Sequence, residues 1–227
     1  GLYFRTPEVS REKAVVEFEM LLNNRSAKTE QIRYTIDICD PSGKMVTSVK
    51  GKAKLSPGTT SESVRASAAI DSPEIWNCDN TRLYTAVITL LDNRGGEIGR
   101  KVEHFGLRWF SFDADKGFFL NGEHLKLIGT NRHQDFKDKG LALGDEYHDA
   151  DVRLLKEMGG NFLRIAHYPQ DPHILAMCDR LGILASVEIP IVDCITCSGE
   201  FLSNSLTMQE EMIKQNFNHP SVIIWAY

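Results

Sequence analysis

Apolar and polar residues alternate through the first hundred positions, and the alternation stops near residue 107. In the run 14–22, Ala14, Val16, Phe18, Met20 and Leu22 share one face while Glu17 and Glu19 take the other. Ile32, Tyr34, Ile36 and Ile38 repeat this in 31–39, and the runs 83–91 and 98–105 follow the same rule. A period of two marks a strand with one buried face. Turn sequences separate the runs, namely Asp40-Pro41-Ser42-Gly43, Ser56-Pro57-Gly58 and Asp92-Asn93-Arg94-Gly95-Gly96. About seven short strands with closely spaced turns predict an immunoglobulin-like β-sandwich. The Cys…Trp…Cys core of antibody domains is missing.

Beyond 107 the pattern becomes strand, helix, strand, helix. Residues 118–125 predict a small hairpin turning on Asn121-Gly122. Buried strands are expected at 126–130, 162–165, 183–187 and 222–225. Helices are expected at 145–158, where Ala150, Leu154, Leu155 and Met158 fall at helical spacing before Gly159 and Gly160, at 172–181 before Gly182, and at 206–217 on Met208, Met212, Ile213 and Phe217. Alternating βα units with short connections imply a parallel sheet that presents ligands at its C-terminal strand ends. The expected fold is therefore multidomain. An immunoglobulin-like β-sandwich over 1–107 precedes the first half of a (β/α)8 TIM barrel over 108–227.

Charge and composition narrow the function classes. A length of 227 residues suffices to bury a core. The net charge of −5, with no basic stripe read along the chain to displace counterions, argues against nucleic acid as partner. No apolar run approaches a membrane span. The opening residues have neither a leader's order nor an initiator Met, so the chain is expected to lie inside a longer polypeptide, with its compartment left open. Five cysteines (Cys39, Cys78, Cys178, Cys194, Cys197) form no disulfide framework, and the Cys194-x-x-Cys197 spacing is read as two unpaired loop thiols. Asn24-Arg25-Ser26 is a formal glycosylation sequon of a kind common by chance.

Every predicted barrel strand ends in polar residues. Asn131, Arg132, His133 and Asp135 follow the first, Arg164 and His167 the second, Glu188 the third and Trp225 the fourth. In a parallel barrel these ends ring one mouth. Carboxylate, imidazole and guanidinium groups hydrogen-bond hydroxyls, and an aromatic face accepts the C–H side of a ring, so the set suits a polyhydroxylated ligand.

Asn161-x-x-Arg164-x-x-His167-Tyr168-Pro169, followed by Cys178-Asp179-x-x-Gly182, resembles the signature of glycoside hydrolase family 2, the β-galactosidases, β-glucuronidases and β-mannosidases. Gly129-x-Asn131-Arg132-His133-Gln134-Asp135 is similar to that family's first barrel strand, and Asn218-His219-Pro220-Ser221 with Trp225 to the strand leading to its acid/base. The sequence departs from the pattern at Ile165, at Ala185-Ser186 and at Gln134, where many members carry Glu.

The resemblance implies a parent that is a retaining exo-β-glycosidase, hydrolysing terminal β-galactosides or, as alternatives, β-glucuronides or β-mannosides. Its two catalytic carboxylates are expected beyond Tyr227, which leaves the piece 1–227 inactive and prone to self-association through open strand edges. Arg164 and Glu188 would support the reacting groups. Asn131, His133, Asp135, His167 and Trp225 would bind the sugar. A homo-oligomeric parent is expected, and Mg2+ or Na+ is left open. A non-catalytic carbohydrate-binding or spacer module is the competing reading.

Overall fold

The computed structural model describes residues 1–227. It divides into two compact units, Gly1–Ile75 with Arg82–Leu107, and Trp76–Thr81 with Arg108–Tyr227.

The first unit holds seven strands: β1 (Leu2–Val9), β2 (Lys13–Leu22), β3 (Glu30–Cys39), β4 (Met45–Leu55), β5 (Glu62–Asp71), β6 (Leu83–Leu91) and β7 (Glu97–Gly106). They form two antiparallel sheets, ordered β1-β2-β5 and β4-β3-β6-β7. The alternating apolar positions of β2, β3 and β6 meet between the sheets. Phe4 sits edge-on to Phe18 and Phe105, at 5.2 and 5.1 Å, and Tyr84 stacks on Phe105. Strand β4 pairs with β3 rather than β5, which leaves β4 as an edge.

Along β7 the alternation predicts the wrong side. Phe105 is buried, but Ile98 and Val102 have the opposite parity and are exposed. The sequon is structural. Asn24 is buried, and its amide donates to the carbonyls of Lys28, Leu55 and Ser56.

The second unit opens with a meander of β8 (Phe110–Asp113), β9 (Gly117–Leu120) and β10 (Glu123–His124). The hairpin turns on Asn121 and Gly122, both at positive φ. A parallel sheet follows: β11 (Gly129–Arg132), α1 (Asp145–Glu157), β12 (Phe162–Ile165), α2 (Pro172–Leu181), β13 (Leu184–Glu188), α3 (Gly199–Asn216) and β14 (Val222–Ala226), in the order β11-β12-β13-β14. Helix α2 has Asp171 as N-cap, Pro172 at its start and Gly182 in the left-handed region at its end.

Three expectations are corrected in this unit. The first barrel strand starts at Gly129, because the side chain of Asn161 accepts from the Ile128 amide and donates to the Lys126 carbonyl. That strand is an edge, and of its residues only Arg132 is buried. Helix α1 buries His148, Val152 and Leu155, whereas Leu154 and Met158 are 59% and 77% exposed. Helix α3 begins seven residues earlier than its apolar spacing implied, capped by Ser198. Trp76, fully buried, belongs to this unit, and its indole donates to the Asp179 carbonyl at 2.8 Å.

Candidate active site

The register fixes which side chains share a face. Asn131, Arg164 and Ser186 are cross-strand partners, and the next layer is Arg132, Ile165, Val187 and Trp225. Adjacent layers point to opposite faces of a sheet. Glu188, two residues beyond Ser186, therefore returns to the face of Arg164. The strands approach closely here: a Cβ on Gly129 would collide with the Phe162 carbonyl, so glycine is required.

Arg164 grips Glu188 with two prongs. Its Nε donates to Oε1 and its Nη2 to Oε2, the latter at 3.0 Å. His167 Nδ1 lies 3.2 Å from the same Oε2 and 3.3 Å from Arg164 Nη2, so one tautomer donates to the carboxylate and the other accepts from the guanidinium. Glu188 is 11% exposed and Arg164 40%. The His133 ring stands 5.2 Å from that of His167 and 6.3 Å from that of Tyr168. A paired carboxylate, a guanidinium and two imidazoles thus lie at the C-terminal ends of parallel strands, where a β/α sheet exposes its ligands. Such donors and acceptors can take several hydroxyls at once.

Of the residues singled out by sequence, the structure brings together Arg164, Glu188, His167 and His133. Asn131 shares Arg164's layer and is exposed, and Asp135 is exposed two residues beyond His133. Arg132 does not join them. Its side chain turns to the helix side, donating to Asp151 (2.9 Å), Gln170 Oε1 (2.6 Å) and His148 Nδ1 (3.0 Å). Trp225 lies in that same layer and packs against the core formed by Ile165, Val187 and Met212. It therefore presents no platform beside Glu188.

Two glutamines lock the loops behind the histidines. Gln170 donates to the carbonyls of Arg132 (2.6 Å) and Ala166 (3.1 Å). Gln134 accepts from the Asp171 amide (2.6 Å) and donates to the Leu141 carbonyl. Its own backbone N–H donates to the Tyr168 hydroxyl. Gln134, where the sequence departs from the family pattern, is a brace between loops.

Sequence reading missed a second network. Asp179 pairs with His219 Nδ1 at 2.6 Å and accepts from the Ser221 amide at 3.0 Å. Arg108 donates to the carbonyls of Pro220 and Val222. Burial pushes the Arg108 guanidinium down to about 10, opposed by the Asp179 charge. The Asn218-His219-Pro220-Ser221 segment is thereby moored at the start of β14. A wide apolar groove of about 810 Å3 between the 189–198 loop and α3, lined by Ile191, Ile195, Phe201 and Leu206, carries no comparable polar cluster. Cys194 and Cys197 are exposed free thiols in that loop.

A four-stranded parallel sheet with interleaved helices and a polar cluster at its C-terminal strand ends defines an α/β protein, and comparison with known proteins names the family. Residues 2–108 match the model of glycosyl hydrolases family 2, and 114–227 match that of the family's TIM barrel domain. The chain belongs to glycosyl hydrolase family 2, with a sandwich-type domain followed by TIM-barrel sequence. It is 33% identical over 235 residues to the β-glucuronidase of Bacteroides fragilis, covering 100% of this chain and 33% of that one. It is 34% identical over 207 residues to the β-galactosidase of Thermoanaerobacterium thermosulfurigenes, covering 90% and 28%. The structure of Bacteroides uniformis β-glucuronidase 2, covalently bound to cyclophellitol-6-carboxylate aziridine, superposes with a TM-score of 0.94 at 40% identity, covering 99% of this chain and 27% of that one. A further structure of that protein is a calcium-binding mutant with two aspartates changed to alanine. The chain thus spans about a third or less of the relatives it matches.

Proposed function

We propose that the protein containing this chain hydrolyses terminal β-glycosides with retention of configuration. One observation carries the proposal: Glu188 held two-pronged by Arg164, with His167 and His133 beside it, at the C-terminal ends of parallel strands. We read 1–107 as an immunoglobulin-like domain and 108–227 as the first four βα units of an eight-stranded barrel. In a retaining glycosidase two carboxylates stand about 5 Å apart, one donating a proton to the leaving oxygen and one attacking the anomeric carbon. No residue of this chain is assigned either task. Its residues bind and orient: His133, His167, Asn131 and Asp135 take hydroxyls, and Arg164 with Glu188 fixes the charge beneath them.

The β-glucuronide reading stands ahead of β-galactoside, because the relative with 40% identity carries the former name. The test uses the full-length protein with 4-nitrophenyl β-D-glucuronide and β-D-galactoside. A tenfold preference either way identifies the sugar, and Glu188→Gln is expected to lower kcat/KM at least a hundredfold. Absence of turnover on both sinks the proposal.

A calcium ion is proposed near the starts of α1 and α2. The two aspartates altered in the Bacteroides uniformis variant are separated along its chain by as many residues as Asp145 and Asp171 are here. Both flank His173: Asp145 Oδ2 lies 3.6 Å from its Nδ1, and Asp171 Oδ1 accepts from its backbone N–H. No three acidic, histidine or cysteine side chains meet as a ready-made metal site, so carbonyls or water would complete an oxygen shell, as Ca2+ allows. A Ca2+-dependent rise in melting temperature that Asp145→Asn abolishes supports this site. An unchanged rise refutes it.

A further inference from the structure

We propose that the outer face of the four-stranded sheet carries a groove for an acidic oligosaccharide, a uronate-bearing glycan, gripped by Arg33, Lys52 and Lys54. The groove encloses about 380 Å3 and is also lined by Gln31 and Asn93, with no carboxylate in its wall. Lys50, Lys52 and Lys54 alternate along the edge strand β4, so their side chains leave the same face about 6.7 Å apart. This is a basic stripe that the net charge of −5 conceals, and it corrects the reading that the chain has none.

Lysines on an edge strand can serve only to block strand addition. That role needs no second cation on the neighbouring strand, yet here Lys52 pairs directly with Arg33 of β3, and Lys54 with Gln31. Like charges directly opposite each other destabilise a sheet. Several other cations in the unit do carry partners: Arg5 and Arg65 share Glu19, Arg82 has Glu74, Arg100 has Glu97 and Lys101 has Glu103. Arg33, Lys52 and Lys54 have no carboxylate partner. Acids nearby in sequence are engaged locally, with Asp92 accepting from the Arg94 and Gly96 amides and Glu30 from Ser26. A local rule broken without internal compensation marks a position kept for an external partner.

The lining chooses among anions. Arg33 offers a carboxylate two parallel N–H bonds, and the amides of Gln31 and Asn93 offer hydroxyls both donor and acceptor. The wall holds no aromatic ring on which a base could stack, which disfavours single-stranded nucleic acid. This inference rests on the reading that the protein acts on glycans, and assigns it a second contact with an acidic chain.

The test is isothermal titration of the full-length protein, at low ionic strength, with a hyaluronan hexasaccharide, a neutral maltohexaose and an oligonucleotide of matched charge. Binding of the hyaluronan probe alone is expected, weakened at least tenfold in R33Q/K52Q/K54Q and weakened by added salt. Glu188→Gln should leave this binding intact, and the triple variant should leave aryl glycoside turnover intact and the melting temperature unchanged or raised, since it removes the opposed like charges. Should the triple variant melt early, K52Q and K54Q, each at an exposed lysine, carry the test singly. Equal hyaluronan binding by wild type and charge variants, no binding by wild type, or tighter binding of the oligonucleotide overturns the groove. A protein inactive on aryl glycosides that still loses hyaluronan binding in the variant leaves the groove standing and sinks the hydrolase reading.

Discussion

Replacing Arg132 with methionine tests whether one buried guanidinium sets the two loops behind His133 and His167. The side chain is 6% exposed and donates to three groups. Their losses are unequal. Asp151 is 48% exposed and regains water, so its ion pair contributes at most about 1 kcal/mol. Gln170 loses one acceptor bond, about 0.5–1.5 kcal/mol, while its own donations remain. His148 suffers most. Its ring is fully buried and its Nε2 already lacks a partner, so losing Arg132 strands the other nitrogen as well, at about 1–3 kcal/mol. Methionine refills much of the volume, and the expected net destabilisation is about 2–4 kcal/mol. Urea denaturation of the full-length protein reads this as a lowered midpoint. Lysine keeps the charge but not the fork, so Arg132→Lys should recover less than half. Because Gln170 ties together the carbonyls of the residues that immediately precede the two histidines, a shift of about 1 Å in their separation is expected to cost up to a hundredfold in kcat/KM. A methionine variant within about 0.5 kcal/mol of wild type, with unchanged kinetics, refutes the reasoning.

Three other outcomes follow from burial. Asn24→Ala removes three hydrogen bonds inside the sandwich and should cost about 1–3 kcal/mol by chemical denaturation, and expression in a glycosylating host should leave Asn24 unmodified by mass spectrometry. Brief maleimide treatment of the native protein should label Cys194 and Cys197 but spare Cys78, whose thiol burial pushes up to about 11, and Cys178, pushed higher still; peptide mapping checks this. His148 has its pKa lowered by burial and then by Arg132 and His173, against the opposing pull of Asp171 and Asp145. The unfolded chain therefore binds this proton more readily, so His148 costs nothing above about pH 6.5 and stability falls as pH drops below it. His148→Gln should flatten that fall between pH 7.5 and 5.5 in urea titrations.

What the sequence showed and hid follows from periodicity. Strands β2, β3 and β6 were legible because one face is buried and the other wet. β12 and α2 were legible because apolar clusters and Gly182 bound them. Helix α1 misled because Leu154 and Met158 offer an apolar stripe as regular as the buried one, whose members include a histidine. The polar strand ends picked out Arg164, Glu188, His133 and His167, which the fold brings together. Arg132 and Trp225 were misplaced for a related reason. A barrel strand is covered on both faces, so apolarity along it does not distinguish the helix side from the side that lines the mouth.

Register supplies the distinction that composition cannot. Once Arg164 is opposite Ser186, parity places Glu188 on its face and puts Arg132 and Trp225 on the other, whatever their chemistry. The same parity binds the two faces to each other. The buried Arg132 cluster holds, from behind, the backbone that carries His133 and His167 in front, and Asp179 with Arg108 does likewise for the start of β14. Charged residues that sequence alone would place in one cluster are thus divided between the face of Glu188 and the helix side behind it. Substitutions on the two sides should separate accordingly. Those at Arg164 or Glu188 should change turnover at nearly constant stability, and those at Arg132 or Asp179 should change both together.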